Sequence, residues 1–139
     1  ESRKLVIEQN STRVVELMAR VRALPGVESA SLFSGGLPLS GRLTRTSVKV
    51  PARQKEFTGD DAVDVRFVTP QYMRVIRQRL IKGRLFTDAD VLDPKASILL
   101  NQTAERLYFE GTDALGQEID IWDKRRVVGV VADMRLEGP

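Results

Sequence analysis

The densest gathering of side chains able to do chemistry is Asp88-Ala89-Asp90, with Asp93 close behind. Alternating carboxylates can offer oxygens to calcium or magnesium, hard cations that take six or more oxygen ligands. A helix–loop–helix calcium site needs further ligands, a turn glycine and a terminal glutamate, and Leu92-Asp93-Pro94 does not supply them. The plainer reading of the same residues is a short helical turn in an exposed loop, with Thr87 and Asp88 as its caps. Paired carboxylates also run glycoside hydrolysis, but there one acid must sit in an apolar pocket beside a second in a polar one. The sequence sets no such pair apart from the 19 acids that the chain carries. Trp122, at the end of the alternating segment Ile119 to Trp122, reads as a sheet-packing residue in preference to a sugar platform.

What the chain lacks narrows the chemistry further. It has no histidine and no cysteine, so there is no Ser-His-Asp triad, no thiolate and no ordinary structural zinc site. The glycine-rich stretch Ser34-Gly35-Gly36-Leu37-Pro38-Leu39-Ser40-Gly41 follows an expected strand, as a phosphate-binding loop would. It has no lysine, and Pro38 removes a backbone donor where an anion cradle needs one, so a plain mobile loop is expected. No catalytic, cofactor-binding or metal-ligating residue is assigned.

Charge is balanced. Twenty-two cations, sixteen of them arginine, face 19 acids, a net charge of +3. The signs interleave, as in Arg84 near Asp88 and Asp90, and no aromatic interleaves with a basic run, so nucleic acid is not an expected partner. Arg74, Arg77 and Arg79 form the one Arg-rich segment; a solvated helix face is the default, with a protein partner or lipid head groups as alternatives. No stretch reaches the roughly 18–20 apolar residues that span a bilayer, and no signal peptide is visible. The abrupt ends at Glu1 and Pro139 read as those of a piece cut from a longer protein.

The elements that must position these residues follow from pattern. The 139 residues suit one domain, and 42% hydrophobic with 29% charged residues is an ordinary globular composition. Val14, Leu17, Met18, Val21 and Leu24 recur at helical spacing over 12–24, and Leu24-Pro25-Gly26 stops that helix. Val27 to Phe33, Thr46 to Val50 and Ala62 to Val68 read as strands, the last with Val63, Val65 and Phe67 on one side; 51–61 reads as a polar loop. Thr69-Pro70 should start a helix with Tyr72, Met73, Ile76 and Leu80 as its stripe, ended by Lys82-Gly83-Arg84. Ala96 to Leu100 reads as a buried strand. Asn101 then caps a helix through Phe109, with Ala104, Leu107 and Tyr108 inward. Leu115-Gly116 turns into a strand at Ile119, Asp123-Lys124 is a candidate hairpin turn, and Arg126 to Val131 reads as a central strand. On that strand Val128 and Val130 should lie on one side, and Val127 and Val131 on the other. A strand–helix–strand unit thus recurs at 63–84 and 97–119. The fold class expected is α+β, a mixed sheet with helices on one face.

Read together and in order, several segments resemble a known family. They are Leu24-Pro25-Gly26-Val27, Val68-Thr69-Pro70-Gln71-Tyr72-Met73, Lys82-Gly83-Arg84-Leu85-Phe86, Asp88-Ala89-Asp90, Ile98-Leu99-Leu100-Asn101, Leu115-Gly116 and Val127-Val128-Gly129-Val130-Val131-Ala132-Asp133-Met134-Arg135. Over about 20–135 this resembles the periplasmic core domain of MacB-like ABC transporter permeases, the group with FtsX-like membrane segments, and especially the duplicated acidobacterial type. Gln71 and Arg77 stand where that family often has glycine. The resemblance implies strand–helix–strand units like the porter-type subdomains of MacB. It also implies a domain lying between two membrane helices, outside the cytoplasmic membrane of a bacterium, over all of 1–139, with 1–11 a membrane-proximal extension in which 1–10 should be frayed, or helical only through crystal or dimer contacts. It implies no catalytic residues and no cofactor. Its implied partners are a cytoplasmic ATPase domain or subunit, a periplasmic adaptor protein, a second permease domain as dimer or pseudo-dimer, and the membrane through flanking helices. The alternative is a periplasmic small-molecule or peptide binding module, or a small carboxylate-based hydrolase, sharing the fold. That alternative predicts a deep apolar pocket with converging polar groups, whereas a permease domain predicts shallow grooves.

Overall fold

In a computed structural model the described residues are 2–34, 44–93 and 97–134. The Gly-Pro loop from Gly35 onward, Ala96 and the segment after Met134 lie outside them.

The centre of the fold is β10 (Asp123–Val131), the nine-residue strand whose apolar half was legible as central. Arg126 pairs with Glu118 of β9 (Glu118–Ile121) and with Ser97 of β8 (Ser97–Asn101), so these two strands lie on opposite edges of β10. Further along, Gly129 to Val131 pair with β8, in parallel, and with β7 (Leu80–Gly83), antiparallel. β9 and β7 therefore share one edge of β10 end to end, and β8 takes the other. Beyond β9 come β3 (Val48–Val50) and β4 (Lys55–Phe57), completing a six-stranded mixed sheet. The α+β expectation holds.

The apolar side chains of these strands close around α4 (Gln102–Phe109). Val48, Val50, Phe57, Leu100, Tyr108, Phe109, Ala114, Ile119, Ile121 and Val127 form one buried cluster. Asn101 caps α4 as expected, its Oδ1 accepting from Ala104 N at 2.8 Å. Tyr108 is inward as expected, but Leu107 faces solvent and Phe109 takes the buried position. Phe57 and Tyr108 meet edge to face at 4.9 Å between ring centroids, a favoured aromatic geometry.

Several elements differ from their patterns. The run from Thr46 to Val50 is two strands in two sheets: β2 (Thr44–Thr46) pairs with β5 (Val63–Val65), while Val48–Val50 joins the main sheet. The supposed loop 51–61 contains β4, hidden because Lys55-Glu56-Phe57 carries a single apolar residue. Ala62 to Val68 also divides at Arg66, into β5 and β6 (Phe67–Val68), so Phe67 leaves the side shared by Val63 and Val65 and is half exposed. Of the expected strand 27–33 only β1 (Phe33–Ser34) forms, pairing with β6.

Thr69 does not cap the next helix. Its Oγ1 accepts from Leu32 N at 2.8 Å, and Thr69 N donates to Leu32 O at 2.8 Å, locking the β1–β6 ribbon. α2 is a single turn (Tyr72–Val75) begun by Gln71, and Arg77, at φ +55°, ends it. Leu80 and Lys82-Gly83 belong to β7, not to the helix. In β10 a register irregularity between Val127 and Gly129 interrupts the two-residue alternation, and Val128 is the less buried residue of the run. The β9–β10 hairpin turns at Trp122 (φ +64°), with Asp123 paired to Ile121, so Asp123-Lys124 is strand and not turn.

α1 (Ser2–Arg22) begins ten residues before the expected start and includes the segment 2–10 expected to fray. Among its described side chains Met18 is buried, Val14, Val15 and Val21 are half-buried, and Leu17 is 50% exposed. The buried stripe is thus rotated away from Leu17. α1 packs mainly on α3 (Asp88–Leu92).

Candidate functional site

The Asp88/Asp90/Asp93 cluster does not converge. On a helix, residues two apart point to nearly opposite sides and residues three apart share a side. Asp88 accordingly lines a cleft against α1, while Asp90 and Asp93 line an open groove on the other side of α3. The N-cap is Thr87, as expected, but its partner is Asp90: Asp90 Oδ2 accepts from Thr87 N at 2.7 Å in a capping box.

Asp90 is the hub of the groove. Arg84 grips it with both guanidinium nitrogens, at 2.7 Å and 3.0 Å, and the hydroxyls of Thr87 and Ser97 also donate to it. Its side chain is only 9% exposed. The Arg84 fork, aided by Ser97 and Thr87, holds the Asp90 carboxyl well below the usual carboxylate range against the opposing effect of burial. The same bonds raise the Arg84 pKa. A carboxylate so fully supplied with donors is poorly disposed to ligate a metal or to accept a substrate proton. Among the described residues no three acidic side chains gather as a metal site.

The groove is about 460 Å³ and wide open. Its other wall is Lys124, Arg125 and Arg126 of β10 with Glu118 of β9. Cross-strand register sets Arg126 opposite Glu118 and Lys124 opposite Asp120, pairing opposite charges along the hairpin. The groove is thus open and lined mostly by charged side chains, unlike the apolar pocket of a small-molecule site.

Two further polar hubs tie α4 to the sheet. Lys82 of β7 pairs with Glu105 at 2.6 Å and Asp113 at 2.8 Å, which raises its pKa, Asp113 contributing most. Asp133 takes Thr103 N at 2.9 Å and Thr103 Oγ1 at 2.8 Å at the start of α4. Burial pushes the Asp133 carboxyl up, but these bonds and Arg106 outweigh it and leave it lowered. Each hub joins separate elements of the fold, and the Asp133 carboxylate that faces the Thr103 hydroxyl is already bonded to Thr103 N and Arg106.

Arg74, Arg77 and Arg79 do not share a helix face, because the one-turn α2 contains only Arg74. Trp122 does not pack on the sheet. It is 52% exposed at the hairpin tip and stacks on Phe67, with centroids 5.8 Å apart and planes 12° apart. Sequence reasoning missed Ser97 as an Asp90 ligand, and nothing local marks it. Arg84 was marked only by its nearness to Asp90 along the chain.

The family model described as the MacB-like periplasmic core domain matches residues 5–138. A 70-residue stretch, 49% of the chain, is 37% identical to the macrolide export ATP-binding/permease protein MacB of Aggregatibacter actinomycetemcomitans, and covers 11% of that protein. The crystal structure of the periplasmic region of MacB from Actinobacillus actinomycetemcomitans superposes with a TM-score of 0.68 at 22% identity, over 86% of this chain and 50% of that one. The extracellular domain of the noncanonic ABC-type transporter YknZ from Gram-positive bacteria gives a TM-score of 0.59 at 18% identity, over 85% and 56% respectively. The chain thus spans about half of each solved region and a small part of the curated relative.

Proposed function

The chain belongs to the MacB-like periplasmic core domain family, and from that membership we propose that it is the non-catalytic extracytoplasmic domain of an ABC transporter permease. In this reading the domain lies on the periplasmic side of a bacterial inner membrane. It carries ATP-driven movement, generated by a cytoplasmic ATPase domain or subunit, to substrate or partner proteins outside. Residues 1–11 are the membrane-proximal extension, and through α1 that movement enters. A periplasmic adaptor and a second permease domain are the expected partners.

The family match over nearly the whole chain carries the reading. The site chemistry supports it. Asp90, Lys82 and Asp133 each spend their charges on bonds between elements, which stiffens a body that must transmit force. The open, ion-paired groove does not favour the alternative of a small-molecule binding module or hydrolase.

The test uses the intact permease in lipid nanodiscs, with spin labels at Glu56→Cys in the domains of two copies or in paired domains. ATP with vanadate should shift the inter-label distance relative to the nucleotide-free state. An identical distance in both states, in a preparation that hydrolyses ATP, would overturn force transmission.

A further inference from the structure

The seam between α1 and the start of α2 contains a buried acceptor oxygen. Gln71 Oε1 is buried and has no hydrogen-bond partner among the described residues. A buried acceptor left without a donor is destabilising. Gln71 lines a tight cleft together with Val14, Met18 and Arg22 of α1 and with Asp88 and Val91 of α3. A strained position follows on the same segment, where Arg77 holds φ +55°.

The helix on the other side of this seam is lightly held. Met18 is the one buried side chain described in α1, and it is not part of the main core cluster. The helix is joined to the rest by a turn at 23–26, where Gly26 has φ +81° and open space around it, followed by 27–32, which form no ladder. Arg22 sits at the hinge end. Its Nε donates to the Met18 carbonyl, 3.1 Å away and one turn back in the same helix, so this guanidinium moves with α1. A guanidinium carries five N–H donors, and that bond uses one.

We infer that α1 has two seatings on the domain, and that in the second a displaced Arg22 guanidinium donates to Gln71 Oε1. The bond gained offsets the apolar contacts of Val14 and Met18 that are given up as the helix shifts. The orphaned oxygen keeps the seating described here from being too deep, and the two positions stay within reach of each other. The inference rests on α1 being the element through which movement enters the domain, and it assigns the latch.

Spin labels at Arg13→Cys on α1 and Glu56→Cys on β4, in the intact permease in nanodiscs, read the seating directly. Two distance populations are expected, with ATP and vanadate changing their ratio. Gln71→Leu removes the acceptor and Arg22→Ala the donor. Each should reduce the second population about tenfold, the factor that one charge-assisted hydrogen bond supplies, and the two together should do little more. Arg22→Lys, which keeps a donor, should retain part of it. A single population in every nucleotide state, or a second population untouched by both Gln71→Leu and Arg22→Ala, would overturn the latch. If nucleotide shifts the distance equally in all variants, α1 transmits movement but the latch is wrong. If nucleotide changes nothing while both variants empty the second population, the latch stands and force transmission falls.

Discussion

Gly83 and Gly129 stand opposite each other across β7 and β10, and neither position has room for a side chain. A Cβ on Gly83 would lie 2.3 Å from Val128 O, and one on Gly129 would lie 2.3 Å from Arg84 O. Both obstacles are backbone, so no rotamer change relieves them. The pair lets the end of β7 press against the irregular part of β10, where Arg84 N donates to Val128 O at 3.0 Å. Gly83 also has φ +76°. Overpacking costs about 1–3 kcal/mol and a left-handed non-glycine residue about 1–2 kcal/mol more. Gly83→Ala should therefore lower stability by about 3 kcal/mol, and Gly129→Ala by about 2 kcal/mol. Urea denaturation measures both, and unchanged midpoints would show that the two strands are further apart than described.

Val130 lies one residue beyond that contact, fully buried and paired on both edges, with Leu100 in parallel and Lys82 antiparallel. Val130→Asp buries a charge with no partner and should destabilise by more than about 3 kcal/mol. A melting temperature equal to that of the unsubstituted protein would place this strand at an edge.

The same strand shows what sequence can and cannot reveal. The continuous apolar run of β10, the apolar β8 and the Asn101 cap of α4 were legible because each depends on neighbours in the chain. β4 was not, since Phe57 is the only apolar residue among Lys55-Glu56-Phe57 and its burial comes from Tyr108, far along the sequence. Thr69 carries a good cap signature, yet Leu32 takes its hydroxyl across the β1–β6 ribbon. The splits at Ser47 and Arg66 send two-residue alternation into different sheets, and periodicity alone carries no mark of that. For the candidate site, the acids of α3 were visible, but which of them mattered was decided by Arg84, just past β7, and by Ser97 of β8. Arg77 is a different case: the resemblance expected glycine there, and the backbone adopts the conformation that glycine would favour.

Asp90 makes acid stability a test of the groove. Its carboxyl is lowered by the Arg84 fork first, and by Ser97 and Thr87, with burial opposing. An unfolded aspartate titrates near ~3.9. The stability due to Asp90 is therefore fully present above about pH 4 and is lost as pH falls toward the lower folded value. Asp90→Asn should cost about 2 kcal/mol at neutral pH, the range for a hydrogen bond to a charged group. It should also flatten the fall in melting temperature between about pH 4 and pH 2. Parallel pH curves for the two proteins would show that Arg84 does not grip Asp90 in solution.

Tyr108 makes the complementary case at high pH. Burial, with Asp61 and Asp64 nearby, pushes its phenol up to about 12. Its hydroxyl donates to Asp61 O at 3.0 Å. The stability tied to this raised value is present below about pH 10, the ordinary tyrosine range, and disappears as pH rises through the folded pKa. Spectrophotometric titration should show a phenolate transition near 12 that vanishes in Tyr108→Phe, with a loss of about 1 kcal/mol at neutral pH for the missing hydrogen bond. A Tyr108 transition at the ordinary tyrosine value would mean that Tyr108 is more open to water than its packing against Phe57 allows.

The last prediction concerns how α1 and the sheet share stability. A region opens locally when few apolar contacts hold it, whatever its backbone hydrogen bonds. α1 has 21 residues of helix, yet Met18 is its one buried side chain among those described, and its main neighbour is the five-residue α3. β10 by contrast holds Val127, Val130 and Val131 buried between strands on both edges. Amides of α1 should therefore exchange through local opening, and those of Val127 to Val131 only through global unfolding. Hydrogen exchange on this segment should show α1 between residues 10 and 20 at least about tenfold less protected than β10, a gap of roughly 1.4 kcal/mol. Removing residues 1–22 should leave the β10 protection pattern recognisable, because the cluster formed by Val48, Phe57, Tyr108, Phe109 and Val127 contains no residue of α1. Equal protection in α1 and β10 would make the helix an integral part of the core, and a helix so fixed could not change its seat relative to the sheet.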